Sequence, residues 1–455
     1  MTIVKPLFKK VDRYDMSCYR PIALVPVMSK IFEKVIHNSI YSFFESGNLF
    51  CNEQVGFRKN KSINMAIYNL LQTIMSNIDK GKHACALFMD LTKAFDHVNH
   101  NILLDKMYAY GVRGNILELV ESYLSNRKQS TQISRICPVS KKMTNYTSDV
   151  KEVSCGIPQG SVLGPLLFNI YINDLPKVTV HKSILFADDS TFIFTGNDTL
   201  ETIKEINSTL SKVIDWLGMN SLKINLLKTN LMIFRNRTTR LIDININYLG
   251  HDIIEVEEAK FLGMKIDNNL NWQAHIDDLC SKLNKFSYAL FMLTRTVDKS
   301  VVLMAYNGYV TPLLRYGVMF WGNSTDNIMA FKAQKKCIRS IFRLKQTESC
   351  RPFFLEFQLL TLPCIYILEV IKFTKKYITL FEKLNSRRHN TKIRFPNSKT
   401  AYYNKSIFFM APRLYNHLPK SLLEISDLNL FCNNVKNLLI KKCYYSVKEY
   451  LEDKF

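Results

Sequence analysis

The sequence predicts an α+β chain, and three features predict it. Ala84-Cys85-Ala86-Leu87-Phe88-Met89 is an unbroken apolar run of strand length. Ile184-Leu185-Phe186 and Thr191-Phe192-Ile193-Phe194 are two shorter runs rich in β-branched and aromatic residues, separated by a short turn. Helical periodicity surrounds these runs, and from about Trp272 onward the text is mostly helical.

Composition narrows the function classes. The 455 residues, 47% of them hydrophobic, can build a large core and suggest two to four domains. Lys and Arg number 61 against 39 Asp and Glu, giving a formal charge of +22. That balance favours a polyanionic partner, either nucleic acid or an anionic membrane surface. No apolar stretch approaches the roughly 18 residues of a spanning helix, so an integral membrane protein is not expected. Met1-Thr2-Ile3-Val4-Lys5-Pro6 has no signal-peptide core. The 11 cysteines are scattered without a C-x-x-C pair. That favours reduced thiols in an intracellular protein over a zinc knuckle or a disulfide framework.

In chain order, Tyr19-Arg20-Pro21-Ile22 precedes an amphipathic helix. Its apolar positions are Met28, Ile31, Phe32, Val35, Ile36, Ile40 and Phe43, and Gly47-Asn48 ends it. Glu53-Gln54-Val55-Gly56-Phe57-Arg58-Lys59 reads as a polar loop. A second helix carries Ile63, Ala66, Ile67, Leu70, Leu71, Ile74 and Ile78 on one face. The strand at 84–89 ends in Asp90, and helices follow over about 101–125. Residues 129–154 read as a β-ribbon or loop with basic residues Arg135, Lys141 and Lys142. Gly156-Ile157-Pro158-Gln159-Gly160-Ser161 then feeds a helix beginning near Val162, whose N-terminus either holds an anion or is an ordinary capped end. A helix with Ile203, Ile206, Leu210, Val213, Ile214 and Leu217 returns the chain to a strand at 231–234. Lys260 to Ile266 reads as a hairpin strand. Lys335, Arg339 and Arg343 fall at four-residue intervals on one helix face, either a track for a phosphate backbone or a solvated face.

The acids carry the chemistry. Phe186-Ala187-Asp188-Asp189 puts two adjacent carboxylates between apolar strands, either as a solvated turn or as a site for a cation that relieves their repulsion. Asp90 ends a third strand. Packed side by side, these strands bring the acids to one sheet edge. Oxygen-only ligation suits Mg²⁺, which binds through one or two carboxylates plus substrate phosphates. Two such ions support phosphoryl transfer.

These residues resemble the reverse transcriptases of non-long-terminal-repeat retrotransposons of the jockey-like kind. Tyr19-Arg20-Pro21-Ile22 and Gln54-Val55-Gly56-Phe57-Arg58 resemble that family's fingers motifs. Phe88-Met89-Asp90-Leu91-Thr92-Lys93-Ala94-Phe95-Asp96 resembles its first catalytic motif, Gly156 to Ser161 its template- and nucleotide-gripping motif, and Phe186 to Asp189 its metal-binding hairpin. Lys228 and Phe261-Leu262-Gly263 fit two later palm motifs. Thr311-Pro312-Leu313-Leu314-Arg315-Tyr316-Gly317 and Tyr415-Asn416-His417-Leu418-Pro419 extend the resemblance over nearly the whole chain. Each motif alone is common; their order is specific.

The resemblance implies a right-hand polymerase: fingers and an RRM-like antiparallel palm over 1–250, the end of the palm and a helical thumb over 251–345, and a helical C-terminal region over 346–455. It implies RNA-directed DNA polymerase activity, with Asp90, Asp188, Asp189 and the Leu91 carbonyl holding two Mg²⁺ ions, for which Mn²⁺ substitutes. Phe95 would lie under the incoming sugar and exclude a 2′-hydroxyl. Pro158, Gln159 and Gly160 would sit at the nascent pair, Arg58 would reach the triphosphate, and Lys228 would protonate pyrophosphate. An RNA template, a DNA primer or target, and dNTPs are the implied partners, without a membrane, and the nucleus is the implied location. Relative to that family the chain is expected to be N-terminally truncated and to lack the endonuclease. A catalytically inactive remnant that binds nucleic acid is the alternative. An RNA-dependent RNA polymerase is a third reading, against which Phe95 argues.

Overall fold

The computed structural model describes residues 1–9, 12–136, 142–234, 246–248, 251–382 and 392–455. Lys141 of the basic ribbon lies outside them. The chain divides into two compact units, one formed by 1–71, 83–233 and 240–256, the other by 72–82, 234–239 and 257–455.

The first unit is built on strands β1 (Thr2–Phe8), β2 (Tyr19–Leu24), β3 (His83–Met89), β4 (Arg127–Ile136), β5 (Met143–Thr147), β6 (Lys151–Val153), β7 (Lys182–Phe186), β8 (Asp189–Gly196) and β9 (Asn230–Phe234). The short strands β10 (Ile246–Tyr248) and β11 (His251–Ile253) pair with each other. Its helices are α1 (Val27–Ser46), the first half of α2 (Ile63–Asp79), whose residues from Gln72 on belong to the second unit, α3 (His100–Ala109), α4 (Asn115–Leu124), α5 (Gly164–Tyr171) and α6 (Thr199–Met219). The sheet that matters for the site has the order β7-β8-β3-β9. β3 and β7 both pair antiparallel with β8. The three apolar runs read from sequence are thus neighbours in one sheet. Leu87, Leu185, Phe192 and Phe194 are buried with Phe168 and Tyr171 of α5 and with Leu210 of α6. A second sheet joins β1 to β2 and β4, and extends β4 into the exposed ribbon with β5.

Two helix readings fare differently. The α2 face meets its expectation, with Ala66, Ile67, Leu70, Leu71 and Ile74 all buried. The first half of α1 does not. Met28, Ile31, Phe32 and Val35 are between 53% and 66% exposed, while Glu33 is 2% exposed. Periodicity shows which residues share a face; it does not show whether another element covers that face. Glu33 is buried because its carboxylate accepts the Val162 N–H at 2.6 Å and the Leu163 N–H at 3.2 Å. The Ser161 hydroxyl accepts the Gly164 N–H at 2.9 Å. The start of α5, read from sequence as an anion site or a capped end, is therefore capped from within the protein, with Glu33 supplying the negative charge.

The second unit begins with the hairpin of β12 (Glu258–Phe261) and β13 (Met264–Asp267). Gly263 at its turn has φ +89°, and an added Cβ would meet the Tyr316 hydroxyl at 3.0 Å. That hydroxyl donates to the Leu262 carbonyl, so two of the motifs quoted from sequence touch. Helices follow: α7 (Gln273–Leu293), α8 (Lys299–Ala305), a π-turn at Tyr306–Val310, α9 (Thr311–Arg315), α10 (Val318–Trp321), α11 (Asn327–Phe342), α12 (Arg351–Glu356) and α13 (Leu362–Lys376). The C-terminal set is α14 (Ala401–Lys405), α15 (Ile407–Asn416), α16 (Lys420–Leu423), α17 (Leu428–Lys442) and α18 (Val447–Glu452). Gln334, fully buried on α11, binds the Tyr306 hydroxyl, the Leu360 carbonyl and the Leu362 N–H, tying three segments together. Among the described residues no helix is long and apolar enough to cross a membrane.

The basic stripe is corrected here. Arg343 lies past the end of α11 with φ +54° and donates to the Thr294 carbonyl. Lys335 sits over the Phe331 and Tyr445 rings, and Arg339 donates to the Glu348 carbonyl. These cations touch the protein's own groups while staying at the surface, Arg343 exposed and Lys335 and Arg339 half-buried.

Candidate active site

β7 leaves the sheet at Phe186 and β8 returns at Asp189, with Phe186 and Asp189 paired across a two-residue turn. Ala187 in that turn has φ +55°, an uncommon conformation for a residue with a side chain. Residues 53–56 brace it. Gln54 runs as a parallel bridge beside Leu185, and its side-chain oxygen accepts the Gly56 N–H at 2.8 Å and the Ala187 N–H at 3.4 Å. A Cβ on Gly56 would come within 2.7 Å of the Ala187 nitrogen, so only glycine fits there.

β3 meets β8 with Met89 opposite Ser190. Carried one residue further, this register sets Asp90 opposite Asp189, beside Asp188. The two hairpin carboxyls are both perturbed. Desolvation raises Asp188 above the usual carboxylate range, and the charge of Asp90 adds to it, while Arg20 and Lys9 oppose. Although Asp189 reaches solvent, part of its carboxyl is desolvated. With the charges of Asp188 and Asp90, that pushes its carboxyl up to about 6. Lys228 places its Nζ 2.5 Å from Asp90 Oδ2. The sequence reading left Lys228 at the later palm motif; the fold puts it on the first carboxylate.

The donor set suits a hard cation, being all oxygen and made of carboxylates whose repulsion a cation relieves. Among the described residues no three His, Cys, Asp or Glu side chains already close around one point. Asp90 is held by Lys228 instead. Leu91 faces Ile224 of a neighbouring segment, and the flanking bonds use the carbonyls of Asp90 and Lys223, not that of Leu91.

Beside the acids lies the segment carrying Phe95. Its ring stacks on Phe168 with centroids 4.8 Å apart and planes 17° apart. The Ile157 N–H donates to the Phe95 carbonyl at 2.8 Å, which lashes the 156–161 loop to the same spot. Pro158 is buried, Gln159 half-buried and Gly160 exposed with φ +108°. The Gln159 carbonyl accepts the Ala23 N–H of β2 at 2.8 Å, and a Cβ on Gly160 would lie 3.1 Å from the Ala23 carbonyl.

Arg58 needs correction. Its Nε and Nη2 each lie 3.0 Å from the Glu45 carboxylate, and Nη1 donates to the Cys51 carbonyl at 2.8 Å. With its side chain only 9% exposed, this guanidinium braces α1 against the following loop instead of reaching for a triphosphate. The cations that act on the acid hairpin are Arg20 and Lys9 at Asp188, and Lys228 and Lys9 at Asp189. Sequence reading quoted Arg20 only as part of a motif, since nothing in its spacing from Asp188 signals proximity. Glu33 falls outside the apolar pattern of its helix and Asp96 ends a motif; neither position signals its partner in sequence.

An acid-ended strand beside an acid-tipped hairpin, backed by helices, is the palm architecture of a polymerase. The chain belongs to the reverse transcriptase (RNA-dependent DNA polymerase) family, whose model matches residues 8–266, more than half of the 455. Curated relatives agree. The probable RNA-directed DNA polymerase from transposon BS of Drosophila melanogaster is 27% identical over 67% of this chain and 34% of its own length. That from transposon X-element of the same fly is 27% identical over 69% and 34%. The RNA-directed DNA polymerase from the fly's mobile element jockey is 24% identical over 68% and 33%. The chain thus spans about a third of the length of these relatives. A looser likeness, at TM-score 0.40 and 13% identity, links 95% of this chain to 64% of a Candida tropicalis telomerase solved with a TWJ fragment of telomeric RNA.

Proposed function

We propose that this chain is an RNA-directed DNA polymerase of a retrotransposon that joins deoxynucleotides to a primer 3′-hydroxyl by two-metal nucleotidyl transfer. The observation that carries the reading is the register that pairs Met89 with Ser190 and Phe186 with Asp189, with the charge of Asp90 felt by both hairpin carboxyls. Asp90, Asp188, Asp189 and the Leu91 carbonyl would hold the metals. Bound Mg²⁺ or Mn²⁺ supplies the positive charge that acidifies the primer hydroxyl and neutralises the departing pyrophosphate.

The protein's own groups do the rest. The primer hydroxyl gives its proton to solvent, its oxygen bonds to the α-phosphorus as the bond to pyrophosphate breaks, and the Lys228 ammonium gives the leaving group its proton. Phe95 supports the incoming sugar and leaves no room for a 2′-hydroxyl. Pro158, Gln159 and Gly160 press on the nascent pair. Excess positive charge draws in the RNA template and the DNA primer or target, in the nucleus.

The test is primer extension on an RNA template with Mg²⁺ or Mn²⁺, comparing the chain with Asp188→Ala. Extension that falls about 10³-fold or more in the variant supports the reading, as expected for removal of a metal-bound charge in the transition state. Equal template–primer binding by both proteins, with extension by neither, would instead identify a binding remnant.

A further inference from the structure

We infer that Asp96 is a positioning residue for nucleotide selection, acting through the side-chain amide of Gln159; this rests on the polymerase reading above. Gln159 Nε2 donates to Asp96 Oδ1 at 3.0 Å, joining residues 63 apart in sequence. Asp96 directly follows Phe95, so the bond forms beside the ring that would meet the sugar.

The backbone around this bond is already held. The Gly156 N–H donates to the Val98 carbonyl at 2.7 Å and the Ile157 N–H to the Phe95 carbonyl at 2.8 Å. His100 Nε2 lies 2.8 Å from the Gly156 carbonyl. Gly156 has φ +84°, and a Cβ there would lie 2.8 Å from the Asp96 carbonyl. On the other side, β2 holds the Gln159 carbonyl through Ala23. The loop is therefore fixed without Asp96. What the Asp96 carboxylate adds is the polarity of the Gln159 amide.

A primary amide has an acceptor end and a donor end of nearly equal size. A carboxylate only accepts, so it takes the N–H end and keeps the amide from turning over. Gln159 then shows its oxygen and its second N–H in one fixed sense. Without Asp96 the amide turns freely and loses part of its grip on an incoming nucleotide. Misplacement of this kind is felt as a rate or affinity loss on the order of 10- to 100-fold.

The experiment is steady-state extension with dTTP on a poly(rA) template with an oligo(dT) primer. The full chain is compared with Asp96→Ala, Asp96→Asn, Gln159→Leu and the Asp96→Ala/Gln159→Leu double variant. Asp96→Ser replaces the alanine variant should that one not fold. We expect Asp96→Ala to raise the KM for dTTP about tenfold and leave primer–template affinity unchanged. Asp96→Asn, whose amide oxygen still accepts at the same place, restores KM to within about twofold. In the double variant the loss is no larger than in Gln159→Leu alone, because the two residues act as one unit. A tenfold loss that persists in the Gln159→Leu background overturns the inference, as does an unchanged KM in Asp96→Ala. Extension by the unaltered chain alongside such additive variants sinks this inference alone. An unaltered chain that neither extends the primer nor binds dTTP overturns the polymerase reading and this inference with it.

Discussion

Phe95 and His275 show how differently single residues are constrained. Phe95 is half-buried, and its stack on Phe168 holds the ring in place five residues past Asp90. If that ring excludes a 2′-hydroxyl, Phe95→Val should admit ribonucleotides. We expect the preference for dTTP over UTP to fall by about tenfold or more in competing extension reactions, a change near one ring's worth of contact. An unchanged preference would move the sugar discrimination elsewhere. His275, on α7, lies with its ring 5.9 Å from that of Trp321, and burial pushes it down to about 4 from 6.5. Asp278 opposes that shift, while Lys282 and Lys265 reinforce it. The folded value lies below the unfolded one. The stabilisation is therefore complete above about pH 6.5 and is lost as pH falls toward 4, at a cost of roughly 3 kcal/mol. Urea midpoints between pH 7 and 4 should show this slope, and His275→Gln should flatten it.

At the scale of elements, α1 is the instructive case. Its N-terminal half shows Met28, Ile31, Phe32 and Val35 to solvent and buries Glu33 against the start of α5. A carboxylate on two helix-terminal N–H groups combines a charge-assisted bond with the helix dipole. Glu33→Gln should therefore cost about 1–2 kcal/mol in urea unfolding, more than an ordinary surface substitution. No change in unfolding would mean that the contact contributes nothing. The apolar periodicity of α1 was legible, but its burial was not. The pattern for α2 had the same quality, and there the core does cover it. Similarly, the end of α11 stops one residue short of Arg343, which turns a supposed charged stripe into a C-terminal cap and two packed cations.

Across the whole molecule, charge is the dominant property. An excess of 22 positive charges has no counterpart within the protein and favours long-range attraction of a polyanion. Template–primer binding should weaken with salt along a log–log slope steeper than about −3, because each neutralised phosphate contributes about −0.9. A slope near zero in filter-binding titrations would contradict an electrostatic template surface. Because the acids sit on β3 and the β7–β8 hairpin of the first unit, their local negative field is set within a basic chain. That contrast is what metal-assisted transfer on nucleic acid calls for.

The sequence by itself determined the strands, the acids that end them and the order of the motifs. These are local matters: an apolar run of strand length must be buried, and the polar residue next to it falls at the sheet edge. Only the tertiary structure decided which charges are spent inside the protein. Arg58 meets Glu45, Glu33 meets Val162 and Asp96 meets Gln159 across separations of 13, 129 and 63 residues. No periodicity spans such distances. Whether a carboxylate caps a helix, orients an amide or faces a cation depends on which segments the fold brings together, because hydrogen bonds and ion pairs act only at contact range.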